Sequence, residues 1–146
     1  MKESLHIEEV LKEKGIYIST TVGSSMCPML RSCRDTIIIR PVNGRLKKYD
    51  IPLYKRGKKY ILHRIVKVTP NGYVICGDNC LNKEYLVTDR QIIGVLNGFY
   101  RDNKEIDMNG IGYRLYCRLW VALYPIRYII KRLGMFARTV VKKVKR

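Results

Sequence analysis

The chain has 146 residues, the size of one ordinary domain with a short surplus, and 47% apolar content is enough to close one core. Twenty-nine basic against 12 acidic side chains leave a net charge of +17, which suits a partner of dense negative charge, anionic lipid or nucleic acid, without choosing between them. Five cysteines, an odd number, behind a start with no apolar run of leader length exclude a disulfide framework and read as reduced thiols.

Ser4 is placed to cap a short helix whose apolar face is Ile7, Val10 and Leu11, with Gly15 ending it. From Ile16 the pattern turns to β-branched and aromatic runs: Ile16 to Val22, Thr36 to Pro41, Ile51 to Lys55, Lys59 to Thr69, Gly72 to Cys76 and Gln91 to Tyr100. Turn signals separate them at Val42-Asn43-Gly44, Arg56-Gly57, Pro70-Asn71-Gly72 and Gly77-Asp78-Asn79, and Asn-Gly between apolar runs is a hairpin cue. The expectation is a mainly β fold: an N-terminal helix over 1–15, an antiparallel β domain over 16–108 and a basic helical tail over 109–146.

The tail carries ten basic residues and no acidic one, together with Tyr113, Tyr116, Trp120, Tyr124 and Tyr128. Its longest run broken by a single charge, Leu119 to Ile130, falls short of the roughly 20 apolar residues that span a bilayer, and Pro125 interrupts it. The tail is therefore expected to lie on an anionic membrane surface, its aromatics and arginines at headgroup level, with each basic residue worth about 1 kcal/mol. The competing reading is a solvated amphipathic helix covering the β domain.

Chemistry is sought in the β domain. In Gly23-Ser24-Ser25-Met26-Cys27-Pro28-Met29-Leu30 a strand runs into a turn fixed by Pro28, where a serine projects from a rigid element. A serine hydroxyl needs a base within hydrogen-bond reach. Of the two histidines, His6 reads as a solvated side chain on the charged N-terminal helix. His63 lies in the most strand-like run, with Ile61 and Ile65 on its face, and is either a packed core residue or a positioned base.

Ser25-Met26-x-Pro28, then Asp35 before an aliphatic strand, Asp50, His63-Arg64-Ile65-Val66-Lys67-Val68 and Gly77-Asp78-Asn79 together resemble the ordered boxes of type I signal peptidases in the S24–S26 serine peptidase superfamily. The likeness covers roughly Ile16 to Tyr100. It is nearest the branch of the endoplasmic reticulum, archaea and some Gram-positive bacteria, which has histidine before the arginine where the main bacterial branch has lysine. The resemblance implies a small signal-peptidase-like β domain, Ser25 as nucleophile and His63 as general base. It also implies a carboxylate after the Gly-Asp-Asn box to orient the imidazole. Here Lys83-Glu84 stands where the family has paired aspartates, so Glu84 takes the second position and Asp78 is its rival; Asp78 also reads as a turn residue bonding its own backbone.

Gly23 stands where the family often has a serine that helps bind the oxyanion, so that donor is missing or is supplied by Ser24, with Met26 and Pro28 supporting the turn. One lost donor costs about 2.7 to 4 kcal/mol in the transition state and implies a slow enzyme. Arg34-Asp35 replaces the usual Gly-Asp, and the family's N-terminal anchor has no counterpart. The expected function is thus a serine endopeptidase that removes a leader from a preprotein or processes a small precursor peptide, without metal or organic cofactor, membrane-associated through residues 111–146 and on the cytoplasmic side by default.

Two other classes compete. Cys27, Cys33, Cys76 and Cys80 with His63 suggest zinc, but neither cysteine pair has Cys-x-x-Cys spacing. Charge and eleven tyrosines suggest nucleic-acid binding, but the aromatics cluster in the tail and do not alternate with basic residues along strands, so no specific nucleic acid is expected. A non-catalytic protein on the same fold is the remaining alternative.

Overall fold

Between Tyr17 and Ile106 the β-branched runs pair into two antiparallel sheets, flanked by helices at both ends of the chain. In this computed structural model the backbone is described over residues 2–144 and the side chains over residues 7–143; the expected cap Ser4 and the side chain of His6 lie outside the described side chains. The order is α1 (Lys2–Lys14), β1 (Tyr17–Thr20), β2 (Thr36–Arg40), β3 (Pro52–Arg56), β4 (Lys59–Leu62), β5 (Arg64–Thr69), β6 (Gly72–Cys76), β7 (Glu84–Val87), β8 (Ile92–Arg101), β9 (Lys104–Ile106), α2 (Ile111–Ala122) and α3 (Tyr124–Val144). Strand residues (34%) outnumber helical ones (31%), and the fold is mainly β with a short N-terminal helix and C-terminal helices.

The first sheet runs β1-β2-β8-β3-β4, with β9 paired to the far end of β8; the second runs β5-β6-β7. Bulges between Ile38 and Ile39 and between Leu53 and Tyr54 bend the first sheet where β8 meets its two neighbours. Leu11 of α1 joins Ile37, Ile39, Ile51, Leu53, Leu96 and Phe99 in one buried cluster, which Met26, Met29 and Leu30 close from the loop between β1 and β2. A second cluster, Leu46, Tyr54, Ile65, Tyr73, Ile75 and Val87, fills the space around the second sheet.

The run Lys59 to Thr69 is not one strand. It breaks at His63, with β4 in the first sheet and β5 in the second, because β4 stops pairing at Leu53↔Leu62 while Ile65 bonds the backbone of Tyr49 and Asp50. His63 therefore sits at a corner between sheets and not on a strand face with Ile61 and Ile65. Asn71-Gly72 and Arg56-Gly57 do make hairpins, but Asn43-Gly44 does not, since β8 inserts between β2 and β3. Strands β7 and β9 are additional to the six expected runs.

The tail is two helices broken at Leu123, one residue before the Tyr124-Pro125 start of α3. No helix among the described residues is long and apolar enough to cross a membrane. The α2 aromatics do not point outward as headgroup anchors would. Tyr113 and Tyr116 pack on the first cluster, Tyr116 stacks on Trp120 at 5.4 Å, and both reach Asp78. Packed on the β domain, Tyr116 and Trp120 shelter their rings and still find a partner for their polar atoms in Asp78.

Under these rings lies a fully buried ion pair. Arg64 Nε and Nη2 each donate to a different Asp78 carboxylate oxygen at 2.8 Å, and Tyr116 Oη donates to the same carboxylate at 3.0 Å. Burial opposes the Arg64 charge, but Asp78 more than compensates and the guanidinium pKa rises. Removing one member of such a pair strands the other without water, so Asp78→Ala should lower unfolding free energy by about 3–5 kcal/mol, read as a drop in urea midpoint at neutral pH.

Candidate functional site

Ser25 opens a tight turn held from several sides. The Cys27 amide donates to Ser24 O (3.1 Å) and the Leu30 amide to Met26 O (2.9 Å), while the Met26, Met29 and Leu30 side chains are buried in the first core cluster. Arg101 from β8 donates to Met29 O at 2.7 Å. Met26 thus anchors the turn, Pro28 follows Cys27 through a cis peptide bond, and Ser24 is exposed. Asn79 fastens the other flank: its amide donates to Ser25 O at 2.8 Å and its side-chain Nδ2 to Ser24 O at 3.1 Å. Ser25 itself is half-buried.

His63 is 7% exposed at its corner. Its Nδ1 lies 3.3 Å from Tyr54 Oη and 3.7 Å from Glu84 Oε1, and Tyr54 Oη donates to Glu84 Oε1 at 2.7 Å. With its proton committed to the carboxylate, the tyrosine oxygen is left to accept from Nδ1–H, a run from imidazole through phenol to carboxylate. That arrangement favours the tautomer whose Nε2 lone pair is free. Arg56 also donates to Glu84 Oε1, at 2.6 Å, so the carboxylate is shared among three groups.

The other edge of the imidazole faces the Ser25 turn. A Cβ placed on Gly77 would lie 2.7 Å from Ser25 O, 3.0 Å from His63 Cδ2 and 2.7 Å from Cys80 Sγ. The three groups converge on the space of one missing methyl, so only glycine fits. Cδ2 is bonded to Nε2, and the Ser25 atom that meets this space is its backbone carbonyl. Cys80 Sγ is 4.0 Å from Nε2. Among the described residues no hydrogen bond joins the Ser25 hydroxyl to His63.

The two candidate acids separate by geometry. Glu84 reaches the Nδ1 side of His63, whereas Asp78 is 3% exposed, spends its carboxylate on Arg64 and Tyr116, and is neither an orienter in contact with the imidazole nor a turn residue capping its own backbone. Ser24 contributes its carbonyl to Asn79. Four neighbours went unread in the sequence: Tyr54, Arg56, Cys80 as a group beside Nε2, and Arg64 as the holder of Asp78. Of these only Arg64 had a signal, an arginine directly after the histidine in an otherwise apolar run. All five cysteines are free, and no group of three or more His, Cys, Asp or Glu among the described residues could hold a metal ion.

Burial pushes the His63 imidazole below its ordinary pKa; the Glu84 carboxylate opposes the drop and the Arg56 guanidinium adds to it. Burial also pushes the Cys80 thiol up. No family model matches the chain, and no curated protein matches it either.

Because His63 is easier to deprotonate in the fold, its NMR titration midpoint should fall below the ordinary value of about 6.5. Glu84→Gln removes the charge that favours the imidazolium and should move that midpoint lower still. A midpoint at or above the ordinary value in the wild type would contradict the burial argument.

Proposed function

We propose that the chain is a serine endopeptidase of signal-peptidase type. It would process a leader or small precursor peptide at an anionic membrane surface to which residues 111–146 hold it. The observation that carries the reading is the two-sided imidazole of His63: Nδ1 faces Tyr54 and Glu84, and the Nε2 edge faces the Ser25 turn across Gly77. That is the division of labour a general base needs, one nitrogen oriented by acceptors and the other open to a hydroxyl.

In this mechanism the Ser25 hydroxyl attacks the scissile carbonyl and its proton passes to His63 Nε2. The imidazolium is then stabilised on its Nδ1–H side by Tyr54 and Glu84. It returns the proton to the leaving amine, and water releases the acyl group by the same route. That no hydrogen bond joins the Ser25 hydroxyl to His63 among the described residues is compatible with this sequence, since such bonds often form or tighten only in the complex. No cofactor is implied by acyl transfer of this kind. Attachment to the membrane is supported by a tail with ten basic and no acidic residues and by an exposed apolar row along α3.

A second nucleophile has a specific observation behind it, Cys80 Sγ at 4.0 Å from Nε2. The thiolate is the reactive form of cysteine, and burial raises the Cys80 pKa, which leaves a neutral thiol at physiological pH. Ser25 is preferred because it lies in the Ser25-Met26-x-Pro28 box that resembles the serine box of signal peptidases.

Ser25→Ala and His63→Ala should each lower peptide cleavage by at least about a thousandfold and abolish labelling by a serine-reactive fluorophosphonate, while Cys80→Ala retains both. Loss of activity in Cys80→Ala with Ser25→Ala active would reverse the assignment. The rate should climb with pH through the lowered His63 pKa and level off near neutrality, because the neutral imidazole is the working form; a profile still rising through about pH 9 would remove His63 as the base.

A further inference from the structure

One segment links the tail to the nucleophile. Residues 78–81 take hydrogen bonds from four tail side chains: Trp120 Nε1 and Arg127 Nη1 donate to Asp78 O at 3.0 and 2.7 Å, Lys131 Nζ donates to Asn79 O at 2.6 Å, and Tyr124 Oη donates to Leu81 O. Lys131 also bonds the Asn79 side-chain oxygen. The same Asn79 holds Ser24 O and Ser25 O from its other side. Two hydrogen-bonded steps therefore run from α3 to the nucleophile turn.

The far side of α3 has no protein partner among the described residues. Ile126, Ile129, Ile130, Leu133, Phe136 and Val140 share one face at helical spacing, and Ile130, Leu133 and Phe136 are 63%, 64% and 70% exposed. Arg132 and Lys143 flank that face, while Arg127 and Lys131 lie opposite it, toward the β domain. The occupant is argued from charge. A second copy of the chain would bring a second tail of ten basic residues against the first, and a nucleic acid would leave the apolar row wet. An anionic bilayer accepts the apolar row and the flanking cations together.

We propose that α3 couples an anionic bilayer to the nucleophile turn, with Lys131 and Asn79 as the positioning residues that carry the coupling. The role in catalysis rests on the peptidase reading; the coupling itself does not. Off the membrane, the C-terminal turns of α3 are exposed on all sides and the Lys131–Asn79 contact competes with water, so the clamp on Ser24 and Ser25 is weak. Docking the apolar face fixes the helix and with it the Lys131 end of the clamp. Linkage requires the effect to run both ways: whatever the bilayer gains by ordering α3 against residues 78–81, the nucleophile turn gains in order.

The test uses the full chain with vesicles of phosphatidylglycerol or of neutral phosphatidylcholine, and reads two quantities: deuterium exchange at the Asn79 amide, and the initial rate on a short polar fluorogenic peptide that does not bind vesicles. Phosphatidylglycerol should slow the exchange and raise the rate by at least about fivefold, phosphatidylcholine should do neither, and Lys131→Ala should bind phosphatidylglycerol as the wild type does yet show neither response. Ile130→Glu with Leu133→Glu should lose vesicle binding. Failure of the wild type to bind phosphatidylglycerol vesicles, binding with unchanged exchange at Asn79, or a wild-type response in Lys131→Ala overturns the coupling. A slowed exchange in a protein that cleaves nothing under any condition supports the coupling and sinks the peptidase reading instead.

Discussion

The Arg64–Asp78 ion pair is the constraint on which the rest of the site depends. Arg64 directly follows His63, and Asp78 directly follows Gly77, so one bidentate contact at 2.8 Å ties together the two backbone positions that bring the imidazole and the Ser25 turn to the same spot. The pairing Arg64↔Cys76 between β5 and β6 sets the approach, and the ion pair completes it where the ladder ends. Arg64 also reaches Met29 Sδ at 2.9 Å beneath the nucleophile turn and lies with its guanidinium 5.7 Å from the Tyr116 ring centroid. A single side chain thus touches the loop after β6, the turn that carries Met29, and α2.

A buried ion pair is a poor source of net stability, since desolvating two charges costs several kcal/mol per ion before any is recovered. Its value here is geometric. An aliphatic pair of similar volume would fill the space but would tolerate a slip of residues 77–80 against β5, and such a slip would carry Gly77, Asn79 and Cys80 away from His63 and Ser25. The fork of the guanidinium permits one register. The aromatic cover of Tyr113, Tyr116 and Trp120 keeps water from loosening it, which is why α2 is better described as part of this site's wall than as a separate appendage.

How much of this could be read in the sequence follows the range of the interactions. Strand β6 has the expected bounds, and β2, β3 and β8 fall within two residues of theirs, because β-branched alternation is a local signal. Strand β7 escaped because Glu84-Tyr85-Leu86-Val87 is short, exposed over its middle and passes through a left-handed residue at Leu86 (φ 60°). The Asn43-Gly44 cue failed as a hairpin because turn chemistry is local while strand order is global, and β8 arrives some fifty residues later to separate β2 from β3. The choice between Asp78 and Glu84 was open for the same reason: nothing local says that Arg64 will claim Asp78, or that Tyr54 from another sheet will bridge His63 and Glu84. In the tail, composition alone could not say that the α2 rings Tyr113, Tyr116 and Trp120 fold inward while Phe136 and the α3 aliphatics face outward.

The site as built favours the neutral His63 imidazole and gives its protonated form weak support. Burial and the Arg56 charge both favour neutral His63, and Glu84, the stronger of the two carboxylates that favour the charged form, is already bonded to Arg56 at 2.6 Å and to Tyr54 at 2.7 Å. With the Tyr54 oxygen at 3.3 Å from Nδ1 and Glu84 at 3.7 Å, a protonated ring, as the proposed mechanism requires, would meet a long contact and a partly neutralised anion. Proton abstraction is then easy to begin and costly to hold. On the proposed peptidase reading, with Gly23 in place of a hydroxyl donor near Ser25, the barrier would lie in the charged intermediate. Ordering the turn that carries Ser25, by bringing the oxyanion and the imidazolium into closer register, would act on the step that limits it.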